Sequence, residues 1–390
     1  MLLVIALLLV GSFILSWLLT AAMIRVAPRI GFVDQPGHRK IHDNPKPLGG
    51  GVAMFWAMAL PLLFAAAALM LHQADWLPLP REGEWPALTR GAIQQLPLAL
   101  GLLVGALVLH GVGLLDDRRA MGPWPKLLLQ ALVAAGFVVF FDVRAVTFLD
   151  TLGLGRTPSI VVTVLWIVAI TNAFNFLDNM DGLSAGVAAV CATAFLSTAI
   201  MIEQWFVAST LALLLGAVLG FLCWNFPPAR IFMGDSGSLV IGFVLGVLTV
   251  RTTFLPPGSD FGAGWYAIFA PVIVLAVPLY DLIVVSIIRL ARGRSPFRGD
   301  TNHFSHRLVA RGMSRRTAVL SIYVVTAATS TSAIVLPWTR SAFAAILIFS
   351  QTILVLGLVA LLEQHPLPVA WRNDEAKDDD PSRQPRHARK

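Results

Sequence analysis

The sequence predicts an all-α, polytopic integral membrane protein of about eleven transmembrane helices. Three observations carry that prediction. The 390 residues are 57% hydrophobic and only 13% charged, where a soluble domain of this size would carry roughly 25% charged residues. Mean hydropathy is +0.75, which leaves too little polar surface to coat a globule in water. Apolar runs near the ~20 residues that cross a bilayer recur from end to end.

Those runs fall at 2–24, 49–71, 93–115, 125–141, 158–177, 183–202, 205–224, 238–255, 265–288, 317–336 and 341–362. An odd number of spans places the two termini on opposite sides. The first run, MLLVIALLLVGSFILSWLLTAAMI, has nothing basic ahead of it, and Arg25 and Arg29 follow it. A signal peptide needs a basic leading region and a small-residue cleavage site, so this run reads as an uncleaved helix with its N-terminus outside. Pro61, Pro97, Pro271 and Pro278 lie inside spans, where neighbouring helices can re-satisfy the freed carbonyls. Cys191 and Cys223 also lie in spans without a CxxC partner or a nearby His, and read as packing residues rather than metal or redox groups.

With the N-terminus outside, the inner segments are 25–48, 116–126, 178–182, 225–237, 289–316 and 363–390. Twenty-three of the 29 Lys and Arg lie in them, so the positive-inside rule supports this orientation and a cytoplasmic C-terminus. Residues 1–362 form one transmembrane domain. The tail 363–390 mixes both charges with Pro and has no apolar period, the pattern of a disordered cytoplasmic segment.

The acidic residues then give an independent result. Asp34, Asp43, Asp116, Asp117, Asp178, Asp181, Asp235 and Asp300 all fall in inner segments, although hydropathy and Lys/Arg alone set the parity of the spans. Five loops presenting Asp at one face predict an active site at the cytoplasmic membrane surface. In NAFNFLDNMDGLSAG (172–186), Asn172, Asn175, Asp178 and Asp181 recur at steps of three after an uncharged run. Such residues are helix neighbours in pairs, but the row drifts round the axis, so all four cannot meet one ion. Carboxylate and amide oxygens at a helix end suit a hard cation such as Mg²⁺, which keeps waters and accepts phosphate oxygens. A polar cap followed by a solvated turn is the plainer alternative.

In LLDDRRAMGPWPKLLLQ, Asp116 and Asp117 close one span and Lys126 opens the next. Adjacent helical side chains point about 100° apart, so the two aspartates should do different jobs. One suits a metal or a proton transfer, while Lys126 offers a point charge to a phosphate. RIFMGDSGS (230–238) sets Asp235 among small residues that let backbone N–H groups approach a phosphate. FRGDTNHFSHRLVARG (297–312) holds Arg298, His303, His306, Arg307 and Arg311 without zinc spacing, which suits donors to a diphosphate. Asp281, inside an apolar span, is either functional or paired with another helix.

These loops, taken in order, resemble the polyprenyl-phosphate N-acetylhexosamine-1-phosphate transferases, a family that includes the enzymes initiating O-antigen and teichoic-acid linkage synthesis and the phospho-MurNAc-pentapeptide transferase. The matching stretches are DQPGHRKIHDNPKPLGG (34–50), DDRRAMGPWPKLLLQ (116–130), NAFNFLDNMDGLSAG (172–186), FMGDSGS (232–238) and DTNHFSHRL (300–308). The resemblance implies that a UDP-N-acetylhexosamine, with UDP-GlcNAc the first choice, reacts with undecaprenyl phosphate to give undecaprenyl-diphosphate-sugar and UMP. It implies Mg²⁺, with Mn²⁺ as an alternative, and a bacterial inner membrane location with the site facing the cytoplasm. A homodimer is left open, and no nucleic acid is implied.

By matching position, Asn175 and Asp235 resemble metal ligands, and Asp116 resembles the base for the lipid phosphate with Asp117 in support. Lys126, His303, His306 and Arg307 resemble diphosphate contacts, Phe232 the residue on which uracil stacks, and Asp178 and Asp181 catalytic-site carboxylates without a settled role. Two positions depart from the family pattern. Asn179 stands where many relatives have Gly, and Ser305 stands where the histidine cluster has a third His. The HRL ending resembles the GlcNAc-type branch. A transporter is the rival reading, but transporters place ionisable groups near the bilayer midplane, and only Asp281 is deep here. A CDP-alcohol phosphatidyltransferase needs DGxxAR, whereas Asp181-Gly182 continues as LSAGVAAV.

Overall fold

The computed structural model describes residues 1–34, 45–78, 83, 85–252, 269–295, 302–339 and 341–364. The described chain is a bundle of helices: α1 (Leu2–Arg29), α2 (Gly50–Gln73), α3 (Trp85–Arg118), α4 (Pro123–Phe141), α5 (Thr157–Leu177), α6 (Leu183–Met201) and α7 (Trp205–Asn225). Then come α8 (Asp235–Arg251), α9 (Ala270–Val274), α10 (Ala276–Ala291), α11 (Phe304–Ala310), α12 (Arg315–Val335) and α13 (Ala342–Gln364). The strand content among the described residues is one two-residue ladder, β1 (Val33–Asp34) antiparallel to β2 (Lys46–Pro47), with Asp34 opposite Lys46.

In each of the eleven expected spans the described residues are mostly helical. Among the described residues nine helices are long and apolar enough to cross a membrane, namely α1 to α7, α12 with its short extension to Trp338, and α13. Helix α8, at 17 residues, is shorter. The ninth expected span is broken at Leu275 into α9 and α10. Proline chemistry explains the break: Pro278 has no N–H to offer the carbonyl four residues back, and that carbonyl, of Val274, instead accepts from Cys191 Sγ on α6 at 3.4 Å. The neighbouring helix thus re-satisfies the freed group.

Burial inverts the pattern of a water-soluble bundle. Of the most apolar stretches, 78% of α6 and 72% of α7 is buried, against 17% of α1 and of α13, so α6 and α7 form the centre while large apolar side chains such as Phe64 and Phe140 face outward. Lipid is as apolar as Leu, so helix contacts in a membrane depend on close packing and on hydrogen bonds across small residues. Helix α7 shows this against α1. A Cβ at Gly216 would lie 2.2 Å from the Leu9 carbonyl oxygen, and one at Gly220 2.4 Å from that of Phe13. The space those glycines leave lets Ser12 and Ser16 of α1 donate to the Leu213 and Ala217 carbonyls at 2.7 and 2.6 Å.

The same device places the site. Gly242 of α8 abuts the Thr171 backbone on α5, and Gly113 of α3 abuts the Asp235–Ser236 peptide at the start of α8. The last turn of α3, the end of α5, the first turn of α4 and the first turn of α8 therefore meet at one end of the bundle.

Candidate active site

Asp235 occupies the centre of that end. Its Oδ1 accepts from Asn175 Nδ2 at 2.8 Å, and its Oδ2 forms an ion pair with Lys126. Asn175 also donates to Ser238 Oγ at 3.0 Å. Lys126 Nζ lies 3.4 Å from Asp116 Oδ2, whose other oxygen accepts from the Met121 amide at 2.7 Å. About a fifth of each side chain of this Asp116–Lys126–Asp235 triplet remains open to the surface. The cluster joins α3, α4, α5 and α8, whose charged ends are 10 to 119 residues apart in sequence.

Asp117, one residue along α3, points elsewhere. Its two carboxylate oxygens accept from the Asp235 and Ser236 amides at 2.8 and 3.2 Å. It therefore caps α8 from another helix, satisfying two N–H groups that a helix start leaves without partners. A carboxylate is also favoured at the positive end of a helix dipole. Gly234 precedes α8 at φ +75°, and a Cβ there would fall 2.5 Å from Asp117 Oδ2, so glycine is required for this approach. His110, two turns back along α3, donates from Nδ1 to the Ser236 carbonyl at 2.9 Å and stacks on Phe55 with ring centroids 4.5 Å apart.

The end of the 34–50 motif, from Lys46 to Gly50, closes over the other side of the same loop. Phe232 N–H donates to the Pro47 carbonyl at 2.9 Å, while Gly50 and Gly51 N–H groups donate to the Phe232 and Met233 carbonyls at 3.0 Å. The half-buried Phe232 ring lies against a small cluster of Ala27, Phe32 and Leu48. Asp178, Asn179, Asp181 and Gly182 form the turn between α5 and α6. Asp181 Oδ2 accepts from the Ala229 amide at 2.9 Å. Gly182, at φ +74°, donates to Asn225 Oδ1 at 2.9 Å and accepts from the Tyr323 hydroxyl. Burial, followed by the charges of Asp235 and Asp117, pushes the Asp178 carboxyl well above the ordinary aspartate range.

The histidine segment is held in a separate way. His303 is 5% exposed and caught between α10 and α5, with its Nδ1 2.8 Å from Asp281 Oδ2, its Nε2 3.3 Å from an Arg289 nitrogen and its ring edge-on to Phe176. Asp281 is fully buried, and its second oxygen accepts from the Phe304 amide at 2.7 Å. Asp281 is thus the partner of the histidine loop, the second of the two readings its sequence position allowed. Ser305 Oγ donates to Asn179 Oδ1 at 2.6 Å. Arg307 donates from Nε to Glu363 Oε2 at 2.7 Å and also to the Asn302 carbonyl. His306, partly exposed, stands edge-on to His303 at 6.4 Å.

The predicted residues therefore fall into groups. Asp116, Asp117, Lys126, Asn175 and Asp235 are joined directly, with Asp178 close enough for its titration to feel two of them. Asp181 braces the turn, Phe232 lines the loop beside α8, and His303, His306 and Arg307 occupy the wall formed by α10 and α11. Asp43, Asp300 and Arg298 lie outside the described residues. Sequence reasoning did not single out His110, Ser238, Tyr323 or Glu363. A lone histidine in the middle of an apolar span was the available signal for His110.

The donor set bears on a metal. Among the described residues no three of His, Cys, Asp and Glu are grouped tightly enough to hold an ion by themselves. Mg²⁺ does not need such a cage: it binds through one or two carboxylates and takes its other ligands from water and substrate phosphates. Asp235, with the Asn175 amide and Ser238 hydroxyl beside it, fits that sparse set. Around it stand Asp116, Asp117 and Asp178, with Lys126 the cation paired to the centre.

Comparison with known proteins adds a second line of support. The description Glycosyl transferase family 4 matches residues 99–253. A Bacillus subtilis (strain 168) protein named probable undecaprenyl-phosphate N-acetylglucosaminyl 1-phosphate transferase is 34% identical over 337 residues, 84% of each chain. The decaprenyl-phosphate N-acetylglucosaminephosphotransferase of Mycobacterium tuberculosis (strain ATCC 25618 / H37Rv) is 32% identical over 80% of this chain and 77% of its own. An Escherichia coli O157:H7 protein, undecaprenyl-phosphate alpha-N-acetylglucosaminyl 1-phosphate transferase, is 28% identical over 82% and 80%.

Proposed function

The chain belongs to glycosyl transferase family 4, and from that premise we propose that it transfers N-acetylglucosamine-1-phosphate from UDP-GlcNAc to undecaprenyl phosphate, releasing UMP. The observation that carries the reading is the Asp116–Lys126–Asp235–Asn175 cluster gathered at one end of a membrane bundle. The lipid substrate accounts for a site at a membrane face. The excess of Lys and Arg in the loops of that end supports a site facing the cytoplasm, where a nucleotide sugar would meet it, and so an inner-membrane location.

A phosphate oxygen of the lipid attacks the β-phosphorus of UDP-GlcNAc. One P–O bond forms as the bond to the bridging oxygen breaks, and that oxygen leaves on UMP. The substrates are both anions, so the protein must offset charge where they meet. Asp116, anchored by the Met121 amide, accepts the proton of a lipid phosphate that arrives protonated. Lys126 has a flexible four-carbon stem and behaves as a compact point charge, so its ammonium can turn from Asp235 to the diphosphate. Asp117 keeps its contacts to the α8 amides and holds Asp235 in register. Mg²⁺, when bound, supplies positive charge on the diphosphate oxygens, and Asp235 and Asn175 are the residues that would hold it. Positioning and charge suffice for in-line displacement, so no covalent aspartyl intermediate is invoked.

The test is UMP release by the purified protein in detergent. The expected result is release that requires undecaprenyl phosphate and UDP-GlcNAc together, stops on chelation of divalent ions and returns with Mg²⁺. UMP release without the lipid, or none with folded protein and any UDP-N-acetylhexosamine, would refute the assignment.

A further inference from the structure

The two positions that depart from the family pattern meet in the fold. Asn179 sits between Asp178 and Asp181 in the α5–α6 turn, and Ser305 lies 126 residues later in the first turn of α11. Ser305 Oγ donates to Asn179 Oδ1 at 2.6 Å. Asn179 Nδ2 is itself held by the Phe176 carbonyl at 2.6 Å, which fixes the amide with its oxygen toward the serine. Ser305 is fully buried, so the bond is shielded from water, and loss of either partner leaves a polar group without a replacement. A glycine at 179 would offer no acceptor, and a histidine at 305 would fill the gap with a ring.

On its other side, the start of α11 is anchored to α10, where Asp281 accepts from the Phe304 amide and meets His303. Besides the Arg307–Glu363 pair, the helix that carries His306 and Arg307 is therefore held at its start by a floor on α10 and a tie to the acidic turn. We propose that Asn179 and Ser305 act as one latch, a pair of positioning residues that sets the gap between the Asp178–Asp181 turn and the His306–Arg307 helix, the two walls between which the sugar diphosphate is held. The two departures are then a single compensated change. This inference rests on the reading of the site as a sugar-phosphate transferase.

A kinetic double-mutant cycle tests it, using wild type, Asn179→Ala, Ser305→Ala and the double variant with UDP-GlcNAc and undecaprenyl phosphate varied separately. Each single variant should lose about tenfold in kcat/KM for the nucleotide sugar, with the lipid KM within about twofold of wild type. The double variant should be no worse than the poorer single, because coupled residues share one interaction energy. A roughly hundredfold additive loss, unchanged single variants, or equal losses toward both substrates would overturn the latch.

Hydrogen exchange on the same four proteins without substrate gives a readout independent of turnover. Amides of 178–182 and 303–310 should exchange faster in each single variant and no faster in the double. Unchanged exchange in both singles overturns the latch. An inactive wild type with the expected exchange pattern would instead retire the transferase reading and leave the latch standing.

Discussion

Gly113→Ala adds one methyl group to α3 and should disable the site without replacing any charged residue. A Cβ at Gly113 would lie 2.3 Å from Ser236 N and 2.4 Å from Asp235 C and Ser236 Cα. Ordinary contact begins near 3.4 Å, so the shortfall is about 1.1 Å. All three obstructing atoms are backbone at the start of α8, with no side chain that could swing aside. If α3 and α8 part by that amount, the 2.8 Å bond from the Asp235 amide to Asp117 stretches toward about 4 Å and is lost. The His110–Ser236 bond, now 2.9 Å, is strained with it. Overpacking of this kind costs about 1–3 kcal/mol, and a displacement of about 1 Å at a reacting group costs on the order of 10²-fold in rate. Gly111, two residues before Gly113 on the same helix, supplies the control, since its Cβ would meet nothing within 4 Å. The assay is UMP release together with thermal unfolding in detergent. Gly113→Ala should lose about 100-fold in kcat/KM, and Gly111→Ala should stay close to wild type. Activity of Gly113→Ala within threefold of wild type at an unchanged melting temperature would refute the packing argument.

Three further outcomes are expected. Lys126→Met removes the cation from two carboxylates and should lower kcat/KM by at least about 100-fold while the protein still unfolds cooperatively; retention within tenfold would remove Lys126 from the site. Asp281→Ala breaks a fully buried anchor and should destabilise by about 3–5 kcal/mol, whereas Asp281→Asn, which keeps an acceptor for the Phe304 amide, should cost clearly less. Equal melting temperatures for these two variants would show that the Phe304 amide contact carries no weight. Gly216→Leu should pry α1 from α7 and lower the melting temperature by several degrees with kcat little changed, so a loss of turnover without loss of stability would contradict the placement of that interface away from the chemistry.

Hydropathy alone located the long helices of the bundle, though not the short α11 or the break between α9 and α10, because a bilayer imposes one length and one composition on whatever crosses it. The chemistry was legible for a related reason: carboxylates are costly at a membrane and stand out against an apolar background, as Asp116, Asp117, Asp178 and Asp235 do. Spacing along α3 also required Asp116 and Asp117 to face different neighbours. Which neighbours they face could not be read from the chain. Asp117 caps a helix that begins 118 residues later, and Asp281 holds a histidine from another element 22 residues away. The glycines that allow these approaches, Gly113 and Gly216 among them, look in sequence like Gly111, which faces open space. Local sequence states what a residue offers in charge, size and donors. Only the tertiary structure decides which backbone comes within reach of it, since that depends on how helices distant in sequence pack against one another.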